Sequence, residues 1–420
     1  MRRHVDRGYM IEIKKDEERV ILVGISAGDG RDAEESLREL AELLKTAGAV
    51  PVETLIQRRE AAHPGTYLGT GKLSELSLLI EETGVTGVVC DDELSPAQLR
   101  NLERALNVKV MDRTMVILDI FAARASTSEG KIQVELAQLR YRAARLTGFG
   151  GALSRLGGGI GTRGPGEKKL EVDRRRIHER ISVLKAELSQ VERHREVTRR
   201  RREKNHKPVA AIVGYTNAGK STLLNALTGA GVLSEDKLFA TLDPTTRELP
   251  LSGGESILLT DTVGFIRKLP HHLVEAFRST LEEARYADLI LHVVDASNPS
   301  MEHQMHTVYE TLKKLEAVGK PVITLFNKAD RFTELPLLRD FTADETLLIS
   351  ARAGRGLPEL KALLARKLRE RKIHLERLYP YPEAGKIQLI RTYGRLISED
   401  YRADGIAVEA YVPPELYGRL

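Results

Sequence analysis

The segment that most constrains the fold is VAAIVGYTNAGKST, residues 209–222. Its first residues are apolar, as in a buried strand, and GYTNAGKS (214–221) matches the phosphate-loop pattern G-x-x-x-x-G-K-[ST]. The next residues, STLLNALTG, are typical of a helix. Between a strand and a helix, such a loop turns its backbone N–H groups and the positive end of the helix dipole toward a polyphosphate. We therefore predict an α/β nucleotide-binding domain in which Lys220 bridges the outer phosphates and Ser221 ligates Mg²⁺.

A second motif, N-K-A-D at 327–330, predicts which base is bound. The carboxylate of Asp330 can accept hydrogen bonds from the two donors that guanine presents, N1–H and the 2-amino group, and adenine lacks this donor pair. A site built on such bonds rejects the wrong base because its own polar groups would go unpaired. The turn S-A-R at 350–352, again after an apolar strand, adds backbone contacts to guanine O6. These motifs favour GTP over ATP.

The segment FATLDPTTR, residues 239–247, lies where the first switch of a GTPase should fall. A threonine in this segment can complete the shell of Mg²⁺ ligands when the third phosphate is present. Thr241, Thr245 and Thr246 are all chemically able to do so, and a threonine-rich polar loop without this role is the alternative.

The segment ILLTDTVG, residues 257–264, is an apolar strand that ends in D-x-x-G, the pattern of a second switch. Asp261 would hold Mg²⁺ through a water molecule, and the amide of Gly264 would sense the third phosphate. Five motifs in the expected order, four of them after apolar strands, predict a GTPase domain.

The residue after Gly264 is Phe265, where many GTPases have a glutamine that orients the attacking water. A phenylalanine side chain can neither orient nor polarise water, so hydrolysis must use another group, the backbone, or a partner. Asn217 in the phosphate loop is a candidate ligand for a monovalent cation such as K⁺, with ordinary loop chemistry as the alternative.

Upstream of this domain, strand-like and helix-like segments alternate over residues 19–112, which predicts a small parallel α/β domain. Residues 131–205 differ, because apolar residues recur there with 4-3-4-3 spacing, which predicts an antiparallel hairpin of two helices. These helical positions are Ile132, Leu136, Leu139, Ala143 and Leu146 in the first arm and Ile177, Ile181, Leu184, Leu188 and Val191 in the second. The loop between the arms, 147–166, contains nine glycines in twenty residues.

The second arm of the hairpin is strongly basic. From 167 to 207 there are 15 Lys and Arg against 8 Asp and Glu, a local charge of +7 that exceeds the +5 of the whole chain. Arg155 and Arg163 add positive charge among the glycines of the tip. Runs of charge often form only a solvated face, but this arrangement favours contact with structured RNA through its phosphates.

We expect four domains with an α/β fold overall. They are an N-terminal parallel α/β domain (1–128), a helical hairpin with a glycine-rich tip (129–206), a phosphate-loop GTPase domain with a mostly parallel sheet (207–372), and a short C-terminal α+β unit (373–420). Within the last unit, residues 386–413 suggest two strands around a loop.

The composition places the chain among soluble globular proteins, with 41% hydrophobic and 30% charged residues. Cys90 is the only cysteine, which excludes a disulfide framework and favours a reducing compartment. No stretch approaches 18 apolar residues, and the first residues lack the apolar core of a signal peptide. We expect a cytoplasmic protein without a membrane anchor, and we expect it to be a monomer.

With these motifs in hand, the chain resembles the HflX family of ribosome-associated GTPases, in the Obg-HflX-like branch of phosphate-loop GTPases. The resemblance covers almost the full length, and its specific marks are the tip GGGIGTRGPGE (157–167) and the segments FATLDPTTR and DTVGFIRKLP. The resemblance implies that Thr241 is the Mg²⁺ ligand of the first switch and that a hydrophobic residue after Gly264 is a trait of the family.

The resemblance and the motifs together define the expected site. Mg²⁺ would be held by Ser221 and Thr241, and Lys220, Thr241 and Gly264 would act on the transferred phosphate. The residues expected to contact the nucleotide or its metal are Gly214, Tyr215, Thr216, Asn217, Ala218, Gly219, Lys220, Ser221, Phe239, Ala240, Thr241, Leu242, Asp243, Asp261, Thr262, Val263, Gly264, Asn327, Lys328, Ala329, Asp330, Ser350, Ala351 and Arg352.

We therefore expect a Mg²⁺-dependent GTPase that binds the ribosome, mainly the large subunit and its RNA, through the N-terminal domain and the hairpin. The resemblance implies a role in splitting or rescuing stalled ribosomes. The alternative is a ribosome assembly factor that uses GTP as a binding switch with negligible turnover. A GTPase with a membrane or protein partner is disfavoured because no hydrophobic anchor is visible.

Overall fold

The computed structural model describes residues 17–27, 30–146, 165–204, 207–229, 231, 238–239, 242–252, 255–270, 273, 283–334 and 336–420. Within these limits the chain forms two compact units, 1–120 and 121–420. The hairpin tip with Arg155 and Arg163, and the switch residues Ala240 and Thr241, lie outside the described residues. The domain limits expected from the sequence stay predictions.

The first unit is built on a parallel sheet of four strands in the order β2-β1-β3-β4. A helix follows each strand, as the alternation in the sequence predicts. Its elements are β1 (Arg19–Ser26), α1 (Arg31–Ala47), β2 (Val50–Arg58), α2 (Thr70–Thr83), β3 (Gly87–Cys90), α3 (Pro96–Leu106), β4 (Lys109–Asp112) and α4 (Arg113–Arg124), the last of which continues into the second unit. Ser95 caps α3 by accepting a hydrogen bond from the amide of Gln98, with Pro96 at the first helical position, as the sequence pattern predicts.

The second unit begins with the hairpin, α5 (Ser128–Leu146) and α6 (Pro165–Lys204). The arms run antiparallel, because Glu135 of α5 forms a bidentate ion pair with Arg180 of α6 at 2.7 and 2.9 Å, and Glu129 lies 3.0 Å from Arg195. The predicted heptad positions form the contact. Leu136, Ala143, Ile181 and Leu184 are buried between the arms, and Ile132, Leu139, Ile177 and Leu188 pack around them.

The nucleotide domain has a sheet of six strands in the order β10-β9-β8-β5-β7-β6, parallel except for β6 at one edge. The elements are β5 (Val209–Gly214), α7 (Lys220–Thr228), β6 (Thr245–Pro250), β7 (Ser256–Asp261), α8 (Glu283–Tyr286), β8 (Leu289–Asp295), α9 (Met301–Lys314), β9 (Val322–Asn327), β10 (Glu345–Leu348) and α10 (Leu357–Glu370). The core lies between this sheet and helices α7 and α10, where Leu223, Leu224, Leu360 and Leu364 are fully buried.

One expectation for the C-terminal segment is wrong. Residues 386–393, which the sequence pattern suggested as strand, belong to a helix. The rest of the segment forms two strands around a turn, as expected, and the third strand of the sheet lies before it at 373–379. The helix forms because Ile387 and Ile390, three residues apart, are buried on one face against the antiparallel sheet β11-β13-β12. The elements are β11 (Ile373–Tyr379), α11 (Ala384–Tyr393), β12 (Arg395–Arg402), β13 (Gly405–Val412) and α12 (Pro414–Tyr417). The unit is α+β, as expected.

Among the helices that the structure describes, none combines the length and the apolar character that crossing a membrane requires.

Candidate nucleotide-binding site

The sequence motifs meet at the carboxyl ends of neighbouring parallel strands. The phosphate loop follows β5, the D-x-x-G motif begins at the end of β7, and the N-K-A-D motif begins at the end of β9. The register of the sheet places these ends side by side, because Ile212 pairs with Asp261, and Asp295 at the end of β8 pairs with Asn327. Ligands of open α/β sheets bind at this edge.

The phosphate loop is held in shape by Asn327, a residue 109 positions downstream of Ala218. Its side-chain Nδ2 donates to the carbonyl of Ala218 at 2.9 Å, and its Oδ1 accepts from the amide of Ala351 at 2.9 Å. Gly219 adopts φ of 97°, a conformation that favours glycine, and a Cβ there would collide with the same Nδ2. Asn327 thus connects the loop to the S-A-R turn at 350–352, a structural role that the motif alone does not show.

Lys220 is buried at the start of α7, and its Nζ donates to the carbonyl of Tyr215 at 2.9 Å. Burial lowers the pKa of Lys220 to about 8, although the nearby Asp261 acts in the opposite direction. Gly264 approaches the loop closely, since a Cβ at this position would lie 2.8 Å from Cα of Thr216 and 3.0 Å from Nζ of Lys220. The structure therefore brings the phosphate loop, its lysine and the D-x-x-G glycine into direct contact.

Ser221 and Asp261 form a buried pair, in which the serine Oγ donates to Oδ2 of the carboxylate at 2.7 Å. Hydroxyl and carboxylate oxygens are ligands that suit a hard cation such as Mg²⁺, which usually takes one or two protein ligands plus phosphate oxygens and water. The described residues contain no cluster of three His, Cys, Asp or Glu side chains that could hold a metal alone. The residues present fit Mg²⁺ bound together with a nucleotide.

The described part of the first switch contacts the phosphate loop through Phe239. Its amide donates to Oγ1 of Thr216 at 2.9 Å, and its side chain is buried. The side chain of Asp243, a residue expected to contact the nucleotide, accepts hydrogen bonds from Ser126 and Thr127 at the start of α5. The two alternative threonines of this segment, Thr245 and Thr246, lie in β6, where Oγ1 of Thr246 is 3.0 Å from Oγ1 of Thr260.

The backbone of the second switch is hydrogen-bonded to the backbone of the phosphate loop. The amide of Thr216 donates to the carbonyl of Phe265 at 2.7 Å, and the amide of Phe265 donates to the carbonyl of Gly214 at 3.1 Å. The Phe265 side chain is only 2% exposed. This residue therefore packs inside the domain and anchors the switch. The sequence shows that Phe265 cannot act on water but gives no sign of this pairing, beyond the apolar run that continues into Ile266.

Thr262 and Val263, the middle residues of D-x-x-G, are buried. The hydroxyl of Thr262 donates to the carbonyl of Ile212 at 2.8 Å, so this side chain stabilises the strand end.

In the N-K-A-D motif, the exposed carboxylate of Asp330 accepts a hydrogen bond from Oγ of Ser350. This bond, above all, holds the pKa of Asp330 below its usual value, so the group is charged and oriented at neutral pH. Lys328 adopts φ of 66°, and its Nζ lies 2.7 Å from Oδ2 of Asp295. The sequence reasoning missed Asp295, whose only signal is its position at the end of an apolar strand.

Comparison with known proteins identifies relatives along the whole chain. Three family models match in succession: GTP-binding GTPase N-terminal over residues 34–122, GTP-binding GTPase Middle Region over 124–202, and 50S ribosome-binding GTPase over 209–328. The chain is 68% identical over 411 residues to the GTPase HflX of Lacrimispora saccharolytica, covering 98% of this chain and 97% of that protein. It is 42% identical to the GTPase HflX of Escherichia coli, covering 93% of this chain and 90% of that protein.

A solved GTP-binding protein of Sulfolobus solfataricus, in complex with GDP, aligns with 83% of this chain and 98% of its own at 24% identity, with a TM-score of 0.44. This structural likeness is too weak to support an argument, and the sequence relatives alone establish the family.

Proposed function

Because this chain belongs to the HflX family of GTPases, we propose that it couples GTP hydrolysis to binding of the large ribosomal subunit and acts in splitting or rescuing ribosomes. The observation that carries this proposal is the basic second arm of the hairpin. Arg174, Arg175 and Arg176 are exposed on α6, within the segment whose net charge is +7. A basic stripe of this kind attracts the phosphates of structured RNA.

In this proposal, Lys220 neutralises the outer phosphates, and their charge raises the pKa of its ammonium from the lowered value that burial alone imposes. Ser221 and Thr241 would hold Mg²⁺ directly, and Asp261 would hold it through water. Mg²⁺, when bound, supplies neutralisation of charge between the phosphates. The amide of Gly264 donates to the third phosphate. Asp330 selects guanine, oriented for this role by Ser350.

Water positioning cannot come from the Phe265 side chain, which is buried. We propose that Asn217 contributes to hydrolysis by binding a cation, because it is exposed in the phosphate loop and adopts φ of 60°. A side-chain amide oxygen at this position suits a monovalent cation such as K⁺, which would add positive charge beside the transferred phosphate. The large ribosomal subunit is the second expected source of catalytic groups.

The experiment that tests the ribosome proposal is cosedimentation with purified ribosomal subunits at several salt concentrations, with GDP and with a non-hydrolysable GTP analogue. If phosphates dominate the contact, the logarithm of affinity falls by about 0.7–0.9 per log unit of salt for each phosphate neutralised. Replacing Arg155 and Arg163 with alanine should weaken binding to the large subunit and flatten this slope by about two phosphates.

A matched control removes the same charge from the exposed side of β12, with Arg395→Ala and Arg402→Ala. This control should keep the affinity and the salt slope of the unmodified chain. Equal losses in both double variants would show only a general charge effect. Unchanged binding in the variant with Arg155 and Arg163 replaced would contradict the proposed contact.

A further inference from the structure

One carboxylate of the first switch is strongly hydrogen-bonded to the start of the helical hairpin. Asp243, in the FATLDPTTR segment, accepts four hydrogen bonds from the two residues that precede α5. The amides of Ser126 and Thr127 donate at 3.0 and 2.9 Å, and their hydroxyls donate at 2.7 and 2.5 Å. All four donors converge on a residue 116 or 117 positions away in sequence.

This contact sits at the N-terminus of a helix of 19 residues. Thr127 caps α5, because its Oγ1 accepts from the amide of Gly130 at 2.9 Å, and Asp243 lies directly beyond this cap. A carboxylate at a helix N-terminus is stabilised by the helix dipole, and hydrogen bonds to a charged acceptor are the strong ones. Burial alone would raise the pKa of Asp243, but the bonds from Thr127 and Ser126 outweigh this and hold the pKa below its usual value.

The same short segment also contacts the phosphate loop and helix α4. The amide of Phe239 donates to Oγ1 of Thr216, and the Phe239 ring packs edge-to-face on Phe121, with ring centroids 4.8 Å apart. Phe121 belongs to α4, a few residues before the cap of α5. The segment around the first switch is therefore attached at one end to the phosphate loop and at the other to the start of the hairpin.

We propose that Asp243 is a positioning residue that couples the first switch to the first helix of the hairpin. It acts on hydrolysis through the switch, two residues after Thr241, and not by contact with the nucleotide. Coupling between two sites is reciprocal, so the nucleotide state biases the start of α5, and a partner that moves the hairpin biases the switch. The inference requires only that the chain hydrolyses GTP, and its test needs no ribosome.

Gly130 provides a way to break the contact from the hairpin side. A Cβ at this helical position would collide with Oδ1 of Asp243 and approach Oγ1 of Thr127 to 3.2 Å. Alanine is the better helix former, by about 0.5–1 kcal/mol, so the Gly130→Ala change does not weaken α5 intrinsically. A loss of activity in Gly130→Ala would therefore trace to the contact between Asp243 and Thr127, because the atoms nearest the added Cβ belong to these two side chains.

The test compares Asp243→Asn, Thr127→Val and Gly130→Ala with two controls. Thr127→Ser keeps the hydroxyl, and Glu135→Gln breaks the ion pair of Glu135 with Arg180 in the other arm of the hairpin. Steady-state hydrolysis without ribosomes gives kcat and KM, and a fluorescent nucleotide gives GDP affinity. We expect the first three variants to lower kcat about tenfold, the loss of roughly one charge-assisted hydrogen bond. We expect their KM and GDP affinity, and the kcat of both controls, to stay within about twofold of the unmodified chain.

A second readout monitors the hairpin itself. Hydrogen exchange of the first turn of α5 should differ between the GDP and GTP-analogue states in the unmodified chain, and this difference should vanish in Asp243→Asn. Combining Asp243→Asn with Gly130→Ala should cost no more than either alone, because both break one contact.

Three results would overturn the inference. The first is unmodified kcat in all three variants. The second is a fall in kcat for Asp243→Asn but not for Gly130→Ala, which would place Asp243 in the nucleotide site itself. The third is a fall in thermal stability that accounts for the loss of kcat, with equal losses in Thr127→Ser, which would make the contact merely structural.

Discussion

The Asp330→Asn substitution tests the placement of the guanine pocket with little risk to the fold. Asp330 is exposed, and its carboxylate accepts a hydrogen bond from the hydroxyl of Ser350. The Oδ1 atom of an asparagine can still accept this hydrogen bond. The domain should therefore remain folded, with an unchanged thermal midpoint. What changes is the pairing with the base, because one acceptor oxygen becomes a donor NH₂ group.

The expected magnitude comes from the number of hydrogen bonds to the charged group. Two guanine donors face the carboxylate in the proposed pocket, and a hydrogen bond to a charged group is worth about 1.5–3 kcal/mol. In the variant, one of these two hydrogen bonds is lost, and the asparagine NH₂ donor faces a guanine donor. We expect this to cost about 3–6 kcal/mol, or roughly 10²- to 10⁴-fold in GTP affinity. Xanthine has a carbonyl where guanine has its 2-amino group, so the asparagine restores both matches for XTP.

The assay is competition of GTP and XTP against a fluorescent guanine or xanthine nucleotide, with Mg²⁺ present. Ser350→Ala is the matched control, since it removes the hydroxyl that orients Asp330 and leaves the carboxylate in place. The control should lose less affinity than Asp330→Asn and gain none for XTP. Full GTP affinity in Asp330→Asn would refute the proposed position of the guanine base.

Further predictions concern the metal, the cation and pH. Ser221→Ala and Thr241→Ala should each lower Mg²⁺-dependent turnover at least about tenfold while GDP affinity survives, since guanine contacts are untouched; unchanged phosphate release in Thr241→Ala would move its role to another threonine of the segment. Replacing K⁺ by Na⁺ should slow hydrolysis in the unmodified chain and not in Asn217→Ala, and equal rates in both salts would argue against a cation there. Burial lowers the pKa of His292 to about 4, opposed by Asp340 and helped by Lys220. Because this pKa lies below that of a histidine in the unfolded chain, His292 does not lower the free energy of unfolding above about pH 6.5. As the pH falls toward 4, the free energy of unfolding should decrease by up to roughly 3 kcal/mol. Urea unfolding of His292→Phe across this range should show a flatter pH dependence.

The part of the site that sequence reasoning located is the part set by local chemistry. A loop that wraps a phosphate needs glycine, lysine and a hydroxyl at fixed spacing between a strand and a helix, so GYTNAGKS could be identified within one window. The heptad spacing of the hairpin was informative for the same reason, since the packing of α5 on α6 uses those positions. The motifs then lie together because parallel strands end at one edge of the sheet.

Contacts between distant segments could not be predicted from the sequence. The side-chain amide of Asn327 contacts Ala218 across 109 positions, and the carboxylate of Asp243 contacts Thr127 across 116. No local sequence pattern therefore marks either contact. The backbone pairing of Phe265 with the phosphate loop leaves no mark on residue type. The C-terminal helix resembles a strand in sequence because Ile387 and Leu389 alternate with polar residues, whereas burial of Ile390 completes a helical face.

Binding of the large ribosomal subunit and hydrolysis of GTP should be coupled in this chain if the proposed function is correct. Release of inorganic phosphate from GTP, in K⁺ buffer at low salt and titrated with purified large subunits, measures this coupling. We predict saturable stimulation of about tenfold or more, lost when Arg155 and Arg163 are replaced by alanine while the basal rate stays unchanged. A chain that cosediments with large subunits but shows no stimulated phosphate release would contradict the proposed coupling and identify GTP as only a binding switch.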